Sequence, residues 1–414
     1  MTSNKPKIRF DGFTNDWEQQ KLGELAEKVS VGIATSSSEY FTDSEKGVPF
    51  IKNQNIKQNR IDDSDLEFIL KDFDQANSTK RVKKGDILTV RTGYPGLSAV
   101  VPPHLDGAQT FTTLITRLKE GSALPEFVST FINSDAGMKQ ITGMEAGGAQ
   151  KNVNAGVLQN LSIPIPSLDE QKIISKFFSH IDDTIALHQC KQEKLINLKT
   201  AMLKKMFPQN GKRVPEFRLS GFTDDWEQLK LGEHSEIKTG GTPKTGISEY
   251  WFPKEIPWMS SGEVNKKRLF NTDNQISEKG LENSSARWIK EKSILIALAG
   301  QGKTRGTVAI NEIPLTTNQS IAAIEVDSSL DSEFVFQNLE GRYEELRLIS
   351  SGDGTRGGLN KQLIADLYII APSVEEQSKI GMLFKQLDLT ISLHREQLNK
   401  LQQIKKSMLQ KMFV

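Results

Sequence analysis

The chain is written twice. Gly12-Phe13-Thr14-Asn15-Asp16-Trp17-Glu18-Gln19 returns as Gly221-Phe222-Thr223-Asp224-Asp225-Trp226-Glu227-Gln228, an offset of 209 residues. Ser167-Leu168-Asp169-Glu170-Gln171 returns as Ser373-Val374-Glu375-Glu376-Gln377, an offset of 206. Each half is therefore one long unit and not a run of short solenoid repeats. A duplicated chain has approximate twofold symmetry, and duplex DNA is a common partner with matching symmetry.

The most regular stretch is Ser167–Phe207 with its copy Ser373–Phe413, in which 18 of 41 positions are identical. Each follows a proline, Pro166 or Pro372, and each opens on a Ser-x-x-Glu capping box, Ser167 with Glu170 and Ser373 with Glu376. Ile174, Phe178, Ile181, Ile185, His188, Leu195, Met202 and Met206 fall at steps of four and three, with Gln192 and Lys199 interrupting the series. The copy runs Ile380, Phe384, Leu387, Ile391, His394, Leu398, Leu401, Met408, Met412. This heptad seam predicts two helices of roughly 60 Å. Similar apolar stripes pair with each other most economically. The second helix starts where the second half ends, which predicts an antiparallel pair. His188 and His394 read as polar seam residues that set register. Lys191, Lys194, Lys199, Lys204 and Lys205 read as a solvated face.

Between these helices the pattern is mixed α/β. Short β-rich runs at Val48–Ile51, Asp86–Val90, Leu97–Val101 and Thr112–Leu118 precede a helix at about Leu124–Ile141. The second half repeats them at Ile256–Met259, Ser293–Leu298, Thr307–Ile310 and Ser320–Val326, with a helix at about Ser332–Ile349. The expected fold class is mixed α+β, with two globular domains, 1–166 and 209–372, and two long helices, 167–208 and 373–414, arranged as a pseudo-twofold repeat.

The helices are alike while the loops differ, which suggests one packing task done twice and two different things being read. The loop chemistry suits base edges. Lys52-Asn53-Gln54-Asn55-Ile56-Lys57-Gln58-Asn59-Arg60 is almost wholly amide and cation, and Asn or Gln pairs with adenine as Arg or Lys pairs with guanine. Its counterpart spans Ser260, Ser261, Gly262, Glu263, Val264, Asn265, Lys266, Lys267 and Arg268. Arg91, Thr92 and Tyr94 match a turn carrying Gln301, Lys303, Thr304 and Arg305; Gln150, Lys151 and Asn152 match a Gly-rich loop with Thr355 and Arg356. For any single loop a solvated polar turn is at least as good a reading; together, on duplicated scaffolds, these positions other than Ile56, Gln58, Asn59, Gly262, Glu263, Val264 and Asn265 form the candidate DNA-binding set of 23.

Composition narrows the alternatives. Charged residues make up 25% of the chain and the net charge is +1, so strong phosphate binding calls for local basic loops or partner subunits. One cysteine, Cys190, allows no internal disulfide and suits a cytoplasmic protein. Five scattered His give no zinc spacing, and no apolar run reaches membrane-spanning length. Gly302-Lys303-Thr304 resembles a P-loop, but Ala297 stands where that motif needs Gly, and Gly306–Ile310 reads as a returning strand. No nucleophile–base arrangement or dinucleotide motif appears, so no catalytic, cofactor or metal residues are expected in this chain.

The ordered set of motifs resembles the specificity subunits of type I restriction–modification systems. It comprises the Trp17 and Trp226 segments with Leu22-Gly23 and Leu231-Gly232, Thr239-Gly240-Gly241-Thr242-Pro243, the entry Ile163-Pro164-Ile165-Pro166 and the Glu-Gln helix starts. Two places depart from it: Ile369-Ile370-Ala371-Pro372 lacks the first proline, and Val31-Gly32-Ile33-Ala34 stands for Gly-Gly-Thr-Pro. The resemblance implies that each globular half is a target recognition domain reading one half of a bipartite, asymmetric site in double-stranded DNA. The helices would set the spacer and dock two DNA adenine methyltransferase subunits, with two motor–endonuclease subunits joining for restriction. S-adenosylmethionine, ATP and Mg²⁺ would belong to those partners. The competing reading is a coiled-coil adaptor that joins proteins without touching DNA.

Overall fold

The computed structural model describes residues 5–144, 152–209, 211–300, 304–349 and 358–413. Two compact units emerge: Met1–Gln189 with Glu396–Val414, and Cys190–Arg395. The boundaries cut through both long helices, Leu168–Met206 and Val374–Met412, each continuous over 39 residues. Each unit thus owns part of each helix, rather than the helices standing as regions of their own.

Within each unit the two helical pieces run antiparallel. In the first, Phe178 packs on Phe413 and Asp182 pairs with Lys405, so one residue number rises as the other falls. In the second, Phe384 packs on Phe207 and Asp388 pairs with Lys199. The seam expected from the heptads is buried or half-buried throughout. The helix starts correct the capping-box expectation in one respect. Ser167 and Ser373 accept from the Glu170 and Glu376 amides at 3.3 and 3.4 Å. The two glutamate side chains, however, turn away to form bidentate pairs with Arg9 and Arg218. Gln171 and Gln377 each clamp the preceding proline carbonyl and a backbone amide of the globular part, Leu124 or Asp331.

The first unit's main sheet orders the strands Ala26–Val31, Leu114–Leu118, Ile87–Thr89 and Ser98–Val100, all antiparallel. The second unit repeats it with Ser235–Thr239, Ile321–Val326, Ile294–Ala297 and Val308–Asn311, extended by Arg268–Leu269. Short strands Glu18–Lys21 and Ser162–Ile165 pair beside the helix start, as do Glu227–Lys230 and Tyr368–Ala371. Sequence patterning passes over these pairs because Pro164 interrupts the first and both are only four residues long.

The single helix expected in each half is broken in two, into Pro125–Ile132 and Asp135–Met144, and into Ser332–Gly341 and Tyr343–Ile349. Ser134 causes the first break: its hydroxyl donates to the Phe131 carbonyl and accepts from the Gly137 amide, replacing helix bonds. The departure at Val31-Gly32-Ile33-Ala34 keeps the residue that matters. A Cβ at Gly32 would lie 2.3 Å from the Thr110 carbonyl, and one at Gly240 would lie 1.9 Å from that of Thr317.

Each unit has an aromatic knot where the two long helices meet. Trp17 meets Phe127 and Phe413, with Phe131 and Phe178 on the far sides of the Phe413 ring. Trp226 meets Phe207 and Phe334, with Phe384 against Phe207. The last turn of one long helix therefore completes the core built on the start of the other.

Candidate nucleic-acid interface

In the first unit a 3₁₀ turn, Asn53–Asn55, leads into the hairpin Ile56–Lys57 with Arg60–Ile61. Asn55 builds this turn. It is buried, its Oδ1 accepts from the Lys52 amide at 2.9 Å, and its Nδ2 donates to the Asp62 and Asp65 carbonyls. It has no edge left for a base, which corrects its place in the candidate set. Asn55→Ala is expected to cost about 1–3 kcal/mol by leaving those groups unpaired, and thermal unfolding of the chain checks this. Lys52 lies over the Phe41 ring and pairs with Glu67, while Asn53 is half-buried. Gln54, Lys57 and Arg60 are exposed, although Lys57 Nζ donates to the Gln54 carbonyl.

Backbone bonds tie this turn to the neighbouring hairpin and loop. The Asn59 amide donates to Ser98 O in the strand that closes the hairpin Ile87–Thr89 with Ser98–Val100. The Val153 amide donates to Arg91 O at 3.0 Å, which brings Asn152 beside the hairpin. Tyr94 is 79% exposed at the tip, between Gly93 and Gly96 at φ 87° and 95°. Thr92 and Asn152 are exposed, whereas Arg91 is half-buried, its Nε without a hydrogen-bond partner among the described residues.

The second unit uses its basic run differently. Ser260 and Ser261 are half-buried around Glu263, which accepts from the Ser260 amide. Lys266 pairs with Glu263 and Asp273; burial works against its ammonium, but the two carboxylates hold its pKa above the usual lysine value. Lys267 pairs with Glu340. Arg268 is held by Glu312 and Glu333 and lies over the Phe336 ring. Each of these three candidate cations is thus engaged by carboxylates of its own unit, Lys266 by Glu263 and Asp273 close in sequence, Lys267 and Arg268 by Glu340, Glu312 and Glu333 far from it. The strands Ile294–Ala297 and Val308–Asn311 on either side of Gly302-Lys303-Thr304 pair antiparallel, so a strand and not the helix of a P-loop follows, as expected. Thr304 and Arg305 are half-buried on it. Gln150, Lys151, Gln301, Lys303, Thr355 and Arg356 lie outside the described residues.

Sequence reasoning missed a matched pair of ion pairs at the seam. Lys405 contacts Asp182 at 2.5 Å, and Lys199 contacts Asp388 and Glu340, each at 2.5 Å. Both lysines are buried, which corrects the reading of Lys199 as part of a solvated face. Burial pushes the Asp388 carboxyl up; it also opposes ionisation of Glu340, but Lys199 and Lys267 hold that carboxyl below its usual value. A signal was available: Lys and Asp recur at equivalent positions of both helices, with the Lys exactly where the apolar series skips a beat.

The family model described as type I restriction modification DNA specificity domain matches residues 14–198 and again 223–403. The chain belongs to this family. A putative type I restriction enzyme MjaX specificity subunit from Methanocaldococcus jannaschii is 23% identical, over 98% of this chain and 95% of its own. The MjaIX specificity subunit of the same organism is 29% identical over 46% of this chain and 44% of its own. The crystal structure of the S subunit from M. genitalium superposes with a TM-score of 0.69 over 99% of both chains at 16% identity, a likeness of fold. A structure described by the assembly and conformational transition of the type I system matches with a TM-score of 0.51 at 20% identity, over 96% of this chain and 97% of that one. The specificity-subunit fold thus accounts for both halves, and no described helix is long and apolar enough to cross a membrane.

Proposed function

We propose that this specificity subunit is non-catalytic and reads a bipartite, asymmetric target in double-stranded DNA, one half-site per unit. The carrying observation is the contrast between frame and tips. Trp17 and Trp226, the Phe knots, the Lys–Asp pairs and the Gln clamps repeat, whereas the exposed tips share almost nothing. Of the candidate set, Gln54, Lys57, Thr92, Tyr94 and Asn152 in the first unit, and Thr304 and Arg305 in the second, are best suited to the duplex. Adenine methylation then belongs to two methyltransferase subunits that carry S-adenosylmethionine, and restriction to two motor–endonuclease subunits that use ATP and Mg²⁺, in the cytoplasm. Two copies are favoured because apolar side chains are exposed at equivalent helix positions: Leu187 and Leu393, and Leu198 and Ile404.

Mapping methylated adenines in cells with and without this chain tests the reading. The expected result is one split motif that disappears with the chain; an unchanged map refutes it. Lys57→Ala with Tyr94→Ala is expected to weaken target binding of the reconstituted complex by about 1–3 kcal/mol per lost base contact. The adaptor reading expects no change. The helices are proposed to act as a ruler. Matched four-residue insertions after Gln189 and Arg395 add about 6 Å, and the spacer is expected to grow by about two base pairs, at 3.4 Å each, with both half-sites unaltered.

A further inference from the structure

The internal repeat allows each unit to serve as the reference for the other, and one region differs sharply. In the first unit, a cavity of about 840 Å³ opens between the turn at Lys57–Arg60, the helix Pro125–Ile132 and the paired long helices. Equivalent positions are identified by shared geometry. Asn59 and Lys267 have φ 61° and 65°, Phe127 and Phe334 both edge against a tryptophan, and Asp182 and Asp388 both hold a lysine of the other helix.

By this register the second unit plugs the same space. Phe336 and Glu340 stand where the first unit has Ser129 and Asn133, and Lys385 stands for Ser179. Arg268 is closed between Glu333 and Glu312, and Lys385 also reaches Glu312 at 3.3 Å. A hollow of about 650 Å³ remains on the Met382 side of that cluster, but it does not reach Arg268, Phe336 or Glu340. In the first unit Arg60 and Glu126 keep the equivalent of the Arg268–Glu333 pair, yet Pro102 replaces Glu312 and Ser179 replaces Lys385. Among the described residues neither Arg60 nor Glu126 forms an ion pair. The first unit therefore has a cation lacking its carboxylate and a carboxylate lacking its cation, on the wall of a cavity large enough for a ligand.

We propose that this cavity is a docking slot for one mixed-charge polypeptide segment of the methyltransferase subunit, whose acidic group meets Arg60 and whose basic group meets Glu126. The proposal rests on the function proposed above. Nucleic acid is a poorer occupant than a mixed-charge polypeptide, because Glu126, Asp135, Asp182 and Asp183 share the wall with Lys57, Arg60, Lys405 and Lys406, a charge-balanced lining that does not favour a polyanion. A protein segment bearing both charges would give Arg60 the carboxylate that Glu312 gives Arg268, and Glu126 the cation that Arg268 gives Glu333. Since that unit is already filled, the slot operates once per chain, and the two methyltransferase copies bind non-equivalently.

The test titrates the full chain with methyltransferase subunit, without DNA, and reads stoichiometry by native mass spectrometry and affinity by sedimentation. The unaltered chain is expected to bind two copies with distinct affinities. Glu126→Lys, and separately Arg60→Glu, are expected to weaken one copy about tenfold or more and leave the other unchanged. Pro102→Glu with Ser179→Lys, which imports the second unit's closure at exposed or half-buried positions, is expected to do the same. Two copies bound with both affinities unaltered in all three variants would overturn the slot while leaving the proposed function standing. No methyltransferase binding by the unaltered chain would overturn both.

Discussion

Phe413→Ala is expected to destabilise the first unit by about 3–5 kcal/mol, although the residue lies more than 200 positions from most of that unit's core. Its ring is 6% exposed and touches Trp17, Phe127, Phe131 and Phe178 at centroid distances of 5.6 to 6.3 Å. Removing it leaves a cavity under four rings that are held on three separate elements, which limits collapse into the space. Trp17 is the one tryptophan of the first unit, while the other four lie in the second. Urea unfolding of a variant retaining only Trp17 should therefore show its midpoint shifting strongly with Phe413→Ala and little with Phe207→Ala. Equal shifts from both substitutions would contradict the assignment of each aromatic plug to one unit.

Lys199→Met is the second large effect, expected at about 3–5 kcal/mol near neutral pH. The substitution strands Glu340 and Asp388 beside each other without the shared ammonium. Lys267 still reaches Glu340, so Asp388, whose carboxyl burial already pushes up, bears most of the cost. The sign of the pH dependence follows. Without Lys199 the Asp388 carboxyl, already raised by burial, titrates higher still in the folded state than in the unfolded chain, so the folded state binds more protons. Stability of the variant then rises as pH falls toward the unfolded carboxyl range near about 4. The gap between variant and unaltered chain should shrink in that direction, as thermal melts between neutral and mildly acidic pH will measure. Lys199→Met combined with Asp388→Leu and Glu340→Gln is expected to recover most of the loss, since removing all members of a buried charge cluster is far less costly than removing one.

Much of the architecture was legible in the residues. The repeated Gly-Phe-Thr and Glu-Gln segments, the heptad spacing and chain order led to two similar units and an antiparallel helix pair. Those features are local or periodic, and period is what a sequence states directly. The β-rich runs were placed within two or three residues for the same reason. The long helix of each globular part was not foreseen as two helices; in the first, the break depends on the Ser134 hydroxyl displacing backbone bonds.

The site was much less legible. Asn55, Lys266, Lys267 and Arg268 have the composition of base readers, yet each is spent on partners inside its own unit. Whether a cation is free depends on carboxylates tens of residues away, such as Glu312, Glu333 and Glu340, and a linear pattern carries no such distance information. The same holds for the first unit's cavity, which exists because Ser129 and Ser179 are small at positions that only folding makes neighbours. Sequence by itself determined duplication, helix pairing and family. Tertiary structure decided which charges are exposed and where a gap remains, because electrostatic pairing and packing are set by proximity in space rather than along the chain.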